Sequence, residues 1–281
     1  MEMKIMVSIV VTGRGGAGKT TMTSNLGAYF SRRGYTTLLV DGDLYLPKLA
    51  FHFGIDNPAY NIHTLIKNPD MRVVDAIYHD PKTGTDILPG SSNLYDVLDI
   101  DNRRMREIVR EIQTKYQLTM IDSPVGIPFD TISTFRLAQY QLIIVAVERS
   151  PVHSVHRMIE NEVVKLKRLG EAYNLHVGVV LNKVRESLPK LRDIIEFLEY
   201  SVDVPVVGVI PFDYRVPEAA NNGTPVVAYA PSTKASRAIR EAGEILGEWA
   251  LGEKREGIFG KLYSTFLSIL HGHRVPAGKK F

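Results

Sequence analysis

Residues 13–20 read Gly-Arg-Gly-Gly-Ala-Gly-Lys-Thr, a complete G-x-x-x-x-G-K-[ST] pattern. The apolar run Ile5–Val11 leads straight into it, and a helical pattern begins near Thr21. Strand, glycine-rich turn and helix in that order open a βαβ unit, which predicts a parallel sheet layered with helices. The backbone N–H groups of such a turn wrap polyphosphate, and the helix aims its positive dipole end at the same point. Lys19 is placed to neutralise the β- and γ-phosphates and the Thr20 hydroxyl to hold Mg²⁺. Gly13, Gly15, Gly16, Ala17, Gly18 and Thr21 complete the expected cradle, which implies a nucleoside triphosphate as ligand.

The rest of the chain extends the same pattern. Strands are expected over 4–12, 36–41, 85–88, 118–122, 141–147, 175–181 and 205–210. Helices are expected at about 19–33, 101–115, 131–139, 151–170, 186–200 and 233–251. Runs such as Leu142–Val147 are apolar throughout rather than alternating, which suits a sheet covered on both faces. The predicted fold is therefore α/β, a doubly wound, mostly parallel sheet with helices on both faces. Residues 54–72, with Pro58 and Pro69, read as an irregular surface excursion. Residues 1–251 form the expected nucleotide-binding domain, and 252–281 a linker with a C-terminal helix.

Two strand ends carry carboxylates. Leu38-Leu-Val-Asp-Gly-Asp43 ends in two acids, and Leu118-Thr-Met-Ile-Asp122 in one. The C-terminal ends of parallel strands converge on the ligand crevice. Asp41 and Asp43 are therefore expected near the Mg²⁺ and the γ-phosphate, and Asp122 at the Mg²⁺ directly or through water. Taken alone, a strand-terminal Asp is more often a cap or turn residue.

These stretches together resemble the MinD/ParA ATPases, whose phosphate loop carries an early basic residue. Val40-Asp-Gly-Asp-Leu44, Ile121-Asp-Ser-Pro-Val-Gly-Ile127, Leu181-Asn-Lys-Val184, Ile210-Pro-Phe-Asp213 and Glu218–Val227 look like MinD in particular. The resemblance covers about residues 4–250. It implies a slow, regulatory ATPase using ATP/ADP and Mg²⁺. It also implies that Asp43 orients the attacking water, that Asp122 is the Walker B acid, that Asn182 reads the adenine edge, and that Pro211 and Asp213 border the base. The family's signature lysine reaches across an ATP-bridged homodimer; this chain has Arg14 there. Arg14 either acts in trans as that lysine does or stays a solvated loop residue.

Composition decides among relatives. The chain has no cysteine, which excludes thiolate metal sites and the branch of related ATPases that carries iron–sulfur clusters. Residues 252–281 hold six basic and two acidic side chains, a net of +4. The whole chain is +3, so the body is −1 and disfavours nucleic acid as a partner. Residues 257–271, GIFGKLYSTFLSILH, segregate apolar and polar side chains into opposite halves at helical spacing. Three readings compete for this helix: peripheral contact with a membrane, docking on a protein partner, or packing on its own domain. The expected location is cytoplasmic, with peripheral contact on the inner face of the cell membrane. MEMKIMVSIVV lacks a small-residue cleavage site and reads as the first core strand rather than a signal peptide. The leading function is a dimerisation switch that positions a partner protein. The alternative is a cytosolic assembly or metallocentre-maturation ATPase, similar to the Mrp branch, whose tail binds a partner. His153, His156, His271 and His273 read as solvated or capping residues.

Overall fold

The computed structural model describes residues 6–97, 101–125, 134–147, 155–185 and 188–253 of the chain. Among these residues eight strands form one sheet: β1 (Val7–Thr12), β2 (Thr37–Asp41), β3 (Tyr78–Asp80), β4 (Thr85–Leu88), β5 (Leu118–Asp122), β6 (Tyr140–Ala146), β7 (His176–Val184) and β8 (Val206–Pro211). Their spatial order is β3-β4-β2-β5-β1-β6-β7-β8. All neighbours pair in parallel except β3 with β4. The short antiparallel β3 was not expected; it pairs outside β4 and ends the sheet there.

Among the described residues the α-helices are α1 (Lys19–Arg32), α2 (Ile62–Lys67), α3 (Asn102–Gln113), α4 (Val155–Ala172), α5 (Leu188–Glu196), α6 (Arg215–Asn221), α7 (Val226–Tyr229) and α8 (Lys234–Leu251), and a 3₁₀ turn lies at Ala50–Phe53. Alternate strand residues feed opposite faces, because successive Cβ atoms point to opposite sides of a sheet. Leu39 joins Leu26 of α1 and Leu246 of α8 in one core. Leu38 and Val40 join Ile108 and Ile112 of α3 in another, on the opposite face. Val163 and Leu191, from α4 and α5, pack with Ile143 and Val179 in a third. Burial on both faces explains why these strands lack polar alternation.

The stretch 54–72 is not irregular throughout. Asn61 caps α2, accepting the N–H groups of His63 and Thr64, while the Thr64 hydroxyl accepts the Asn61 N–H. Ile62 and Leu65 are then buried beneath α3. The two prolines flank a helix that the reciprocal cap starts. The 257–271 amphipathic helix, most of the 252–281 tail and the four discounted histidines lie outside the described residues or have undescribed side chains. Among the described residues no helix is long and apolar enough to cross a membrane.

Candidate functional site

β1 is central, and the chain moves to opposite sides of it through β2 and β6, so the loop after β1 opens at the topological switch point. Gly13 leaves the strand at φ +143°, and a Cβ there would stand 2.3 Å from the Ile144 carbonyl oxygen. Gly18 is left-handed at φ +97° and is the N-cap of α1 without a side-chain cap. Its Cβ would meet Asn182 Nδ2 at 2.4 Å. Since no side chain caps that end, the first N–H groups of α1 are left for an anion. Gly16, Gly18, Lys19, Thr20 and Thr21 line a cavity of about 290 Å³ with Asp43, Asp122 and Lys183.

The carboxylates divide into three roles. Thr20 donates its hydroxyl to Asp122 Oδ2 at 2.5 Å, while Asp122 Oδ1 is buried and finds no hydrogen-bond donor among the described residues. A hydroxyl and an under-satisfied carboxylate facing one another are oxygen donors of the kind Mg²⁺ takes, so the residues fit that ion. Asp43 lines the cavity and accepts the Leu46 N–H at 3.1 Å. Asp41 is placed differently from the sequence expectation. It is fully buried and outside the cavity lining, accepting the N–H groups of Asp43 (3.2 Å), Lys48 (2.9 Å) and Leu49 (2.9 Å). Those donors make it the anchor of the loop that carries Asp43. Burial pushes the carboxyls of Asp41 and Asp122 upward, and each is near another acid.

Lys19 is buried, and burial lowers its ammonium's pKa against the opposing pull of Asp122, Asp43 and Glu162. A desolvated cation at the loop centre is held charged by those carboxylates and gains most from a phosphate.

Asn182 meets the phosphate loop: its Nδ2 donates to the Ala17 carbonyl at 2.8 Å and braces the loop. The next residue, Lys183, sits at φ +56° and donates Nζ to the Gly16 carbonyl at 2.8 Å. Pro211 pairs with Val184 at the end of β8. Asp213 accepts the Arg215 N–H at 2.9 Å and approaches the Ala235 N–H at 3.5 Å. Neither Pro211 nor Asp213 lines the phosphate cavity. Arg14 points outward; its N–H donates to Glu162 Oε1 at 2.8 Å and its guanidinium Nε lies 4.0 Å from Glu162 Oε2. Among the described residues, Gly15 has only the Val125 side chain near its missing Cβ, at 3.3 Å.

Reading the sequence did not find Glu162, Lys183, Lys48 or His52, although the last three line the cavity. Lys183 had a signal, since it follows Asn182 in the quoted motif; Glu162 had none in the middle of a helix. His52, next to Ser24 Oγ at 3.2 Å, has its pKa lowered by burial to about 4 and is a neutral wall.

This sheet, loop and acid set define a P-loop ATPase. A profile of the CobQ/CobB/MinD/ParA nucleotide-binding domain matches residues 8–226, and the chain belongs to that family. An ATP-binding protein of Methanocaldococcus jannaschii is 28% identical over 276 residues, 97% of this chain and 98% of that one. The structure is similar to the cell division ATPase MinD of Pyrococcus furiosus, with TM-score 0.76 and 28% identity over 88% of this chain and 100% of that one. It is equally similar to the septum site-determining protein MinD of Pyrococcus horikoshii complexed with Mg-ADP, with TM-score 0.76 and 26% identity over 89% and 99% of the two chains.

Proposed function

We propose that the chain is a MinD-like switch in which ATP bridges two copies and hydrolysis lets them part. The observation that carries this is Arg14. It sits in the phosphate loop, yet its side chain is half exposed and directed away from its own cavity toward Glu162. A cation so placed is available to a neighbouring protomer's phosphates, and its planar fork suits them.

Within one site, the loop N–H groups and Lys19 hold the phosphates, and Thr20 and Asp122 would hold Mg²⁺. That ion neutralises charge on the β- and γ-oxygens when bound. Asp43 aligns a water against the terminal phosphorus; the bond from phosphorus to the bridging oxygen breaks as the water oxygen bonds, giving ADP and inorganic phosphate. Pro211, paired with Val184 at the end of β8, and Asp213 just after it border the base. The slow turnover expected of such a switch times a bound state.

By the likeness to cell-division relatives, the dimer positions a protein partner at the cell membrane, with residues 257–271 as the contact. The sequence supports a peripheral anchor through its amphipathic pattern and basic flanks. Arg14→Ala tests the bridging role: ATPase rate and ATP-dependent self-association both fall, whereas wild-type values for both would remove Arg14 from it.

A further inference from the structure

The cavity contains a cation that the phosphate-loop motif does not account for. Lys48 lines it from the loop after β2, on the wall that also carries Asp43. Its backbone is fixed, because its N–H donates to the buried Asp41 Oδ2 at 2.9 Å. Its side chain is exposed and makes no ion pair among the described residues. Lys48 shares that cavity with Gly18, Lys19 and Thr20 of the phosphate loop. Of the other lysines there, Lys183 is tied to the Gly16 carbonyl and Lys19 to the loop centre.

A diphosphate on the loop is served by the α1 N–H groups and Lys19. A third phosphate would extend the ligand toward the Asp43 loop, where a carboxylate lines the wall and the Lys48 ammonium, without an ion pair among the described residues, can offset that repulsion. We propose that Lys48 is a γ-phosphate-binding residue, selecting triphosphate over diphosphate within one protomer. The same contact sets the water-aligning loop, since Asp43 and Lys48 both hang by their N–H groups on the two oxygens of Asp41. A phosphate held by Lys48 thus fixes the position of Asp43 through the shared anchor. This rests on the ATP-switch reading and adds the residue by which the site tells its two nucleotides apart.

Calorimetry with Mg²⁺, using ADP and the non-hydrolysable analogue AMPPNP, tests it on the full chain as wild type, Lys48→Gln and Lys48→Arg. Lys48→Gln is expected to weaken AMPPNP roughly tenfold, the size of one charge-assisted hydrogen bond, and to leave ADP within about twofold. Lys48→Arg recovers most of the AMPPNP affinity. Unchanged AMPPNP affinity in Lys48→Gln, or an equal loss for ADP, overturns the assignment while ADP binding by the wild type keeps the ATP site. A wild type that binds neither nucleotide takes down both.

Discussion

The Thr20 hydroxyl donates to Asp122 Oδ2 at 2.5 Å, joining the last residue of the phosphate loop to the end of β5. That bond sets two oxygens of a kind Mg²⁺ takes side by side, and the opposite oxygen of Asp122 is left buried without a donor among the described residues. Asp122→Asn keeps the shape and removes the charge. It should lower the Mg²⁺-dependent part of ATP affinity by at least about tenfold, read as the difference between titrations with Mg²⁺ and with EDTA. Because burial disfavours the ionised carboxyl, the same variant without ligand should melt higher by roughly 2–4 °C. An Mg²⁺ response equal to the wild type would remove Asp122 from the metal site.

Gly18 cannot carry a side chain without displacing Asn182. Gly18→Ala places a Cβ 2.4 Å from Asn182 Nδ2 at a residue with φ +97°. The left-handed strain alone costs about 1–2 kcal/mol, and the Asn182 brace on Ala17 must shift as well. Far-ultraviolet circular dichroism should be retained, while ADP binding weakens more than about tenfold. Retained affinity would show that the loop tolerates the change and that the brace is dispensable.

Stability should fall with rising pH through one residue remote from the site. Glu241 of α8 is half-buried with Oε2 lacking a hydrogen-bond partner among the described residues, and burial and then the Glu244 charge push its carboxyl up to about 7, against an ordinary 4.5. A raised folded-state pKa contributes stability that is full below 4.5 and lost as pH climbs through about 7. Between these values the Tm of Glu241→Gln should decline less than that of the wild type. Parallel curves for the two proteins would contradict this.

The tail gives a prediction from sequence alone. Anionic vesicles should sediment the full chain with Mg-ATP more than with Mg-ADP, because two weak amphipathic contacts in one dimer act together. A chain ending at residue 253 should stay in the supernatant with either nucleotide. Equal behaviour of the two chains would assign residues 257–271 to a protein partner or to their own domain.

The scaffold was legible because it is written in local, repeating terms. Apolar runs such as Leu142–Val147 give buried parallel strands, and the phosphate loop fixes where the crevice opens. α2 escaped notice because Pro58 and Pro69 mask a cap made by Asn61 and Thr64. At the site, Gly16, Gly18, Lys19, Thr20 and Thr21 of the loop share one cavity with Asp43 and Asp122, where the strand ends converge. The contacts of Asp41 and Asn182 were not legible, because their partners are backbone groups that meet them only once the chain folds. Lys48 and Glu162 were invisible for a related reason. Each enters the site from a distant segment, and a lysine in a loop or a glutamate in a helix has no pattern of its own.

Light scattering on the size-fractionated Asp43→Ala protein tests the switch most directly. If Asp43 aligns the water as proposed, removing its carboxylate traps the triphosphate state, so the account predicts twice the 31.4 kDa monomer mass with Mg-ATP and a single monomer with Mg-ADP. A mass of one chain with both nucleotides, under conditions where calorimetry shows ATP bound, would contradict it.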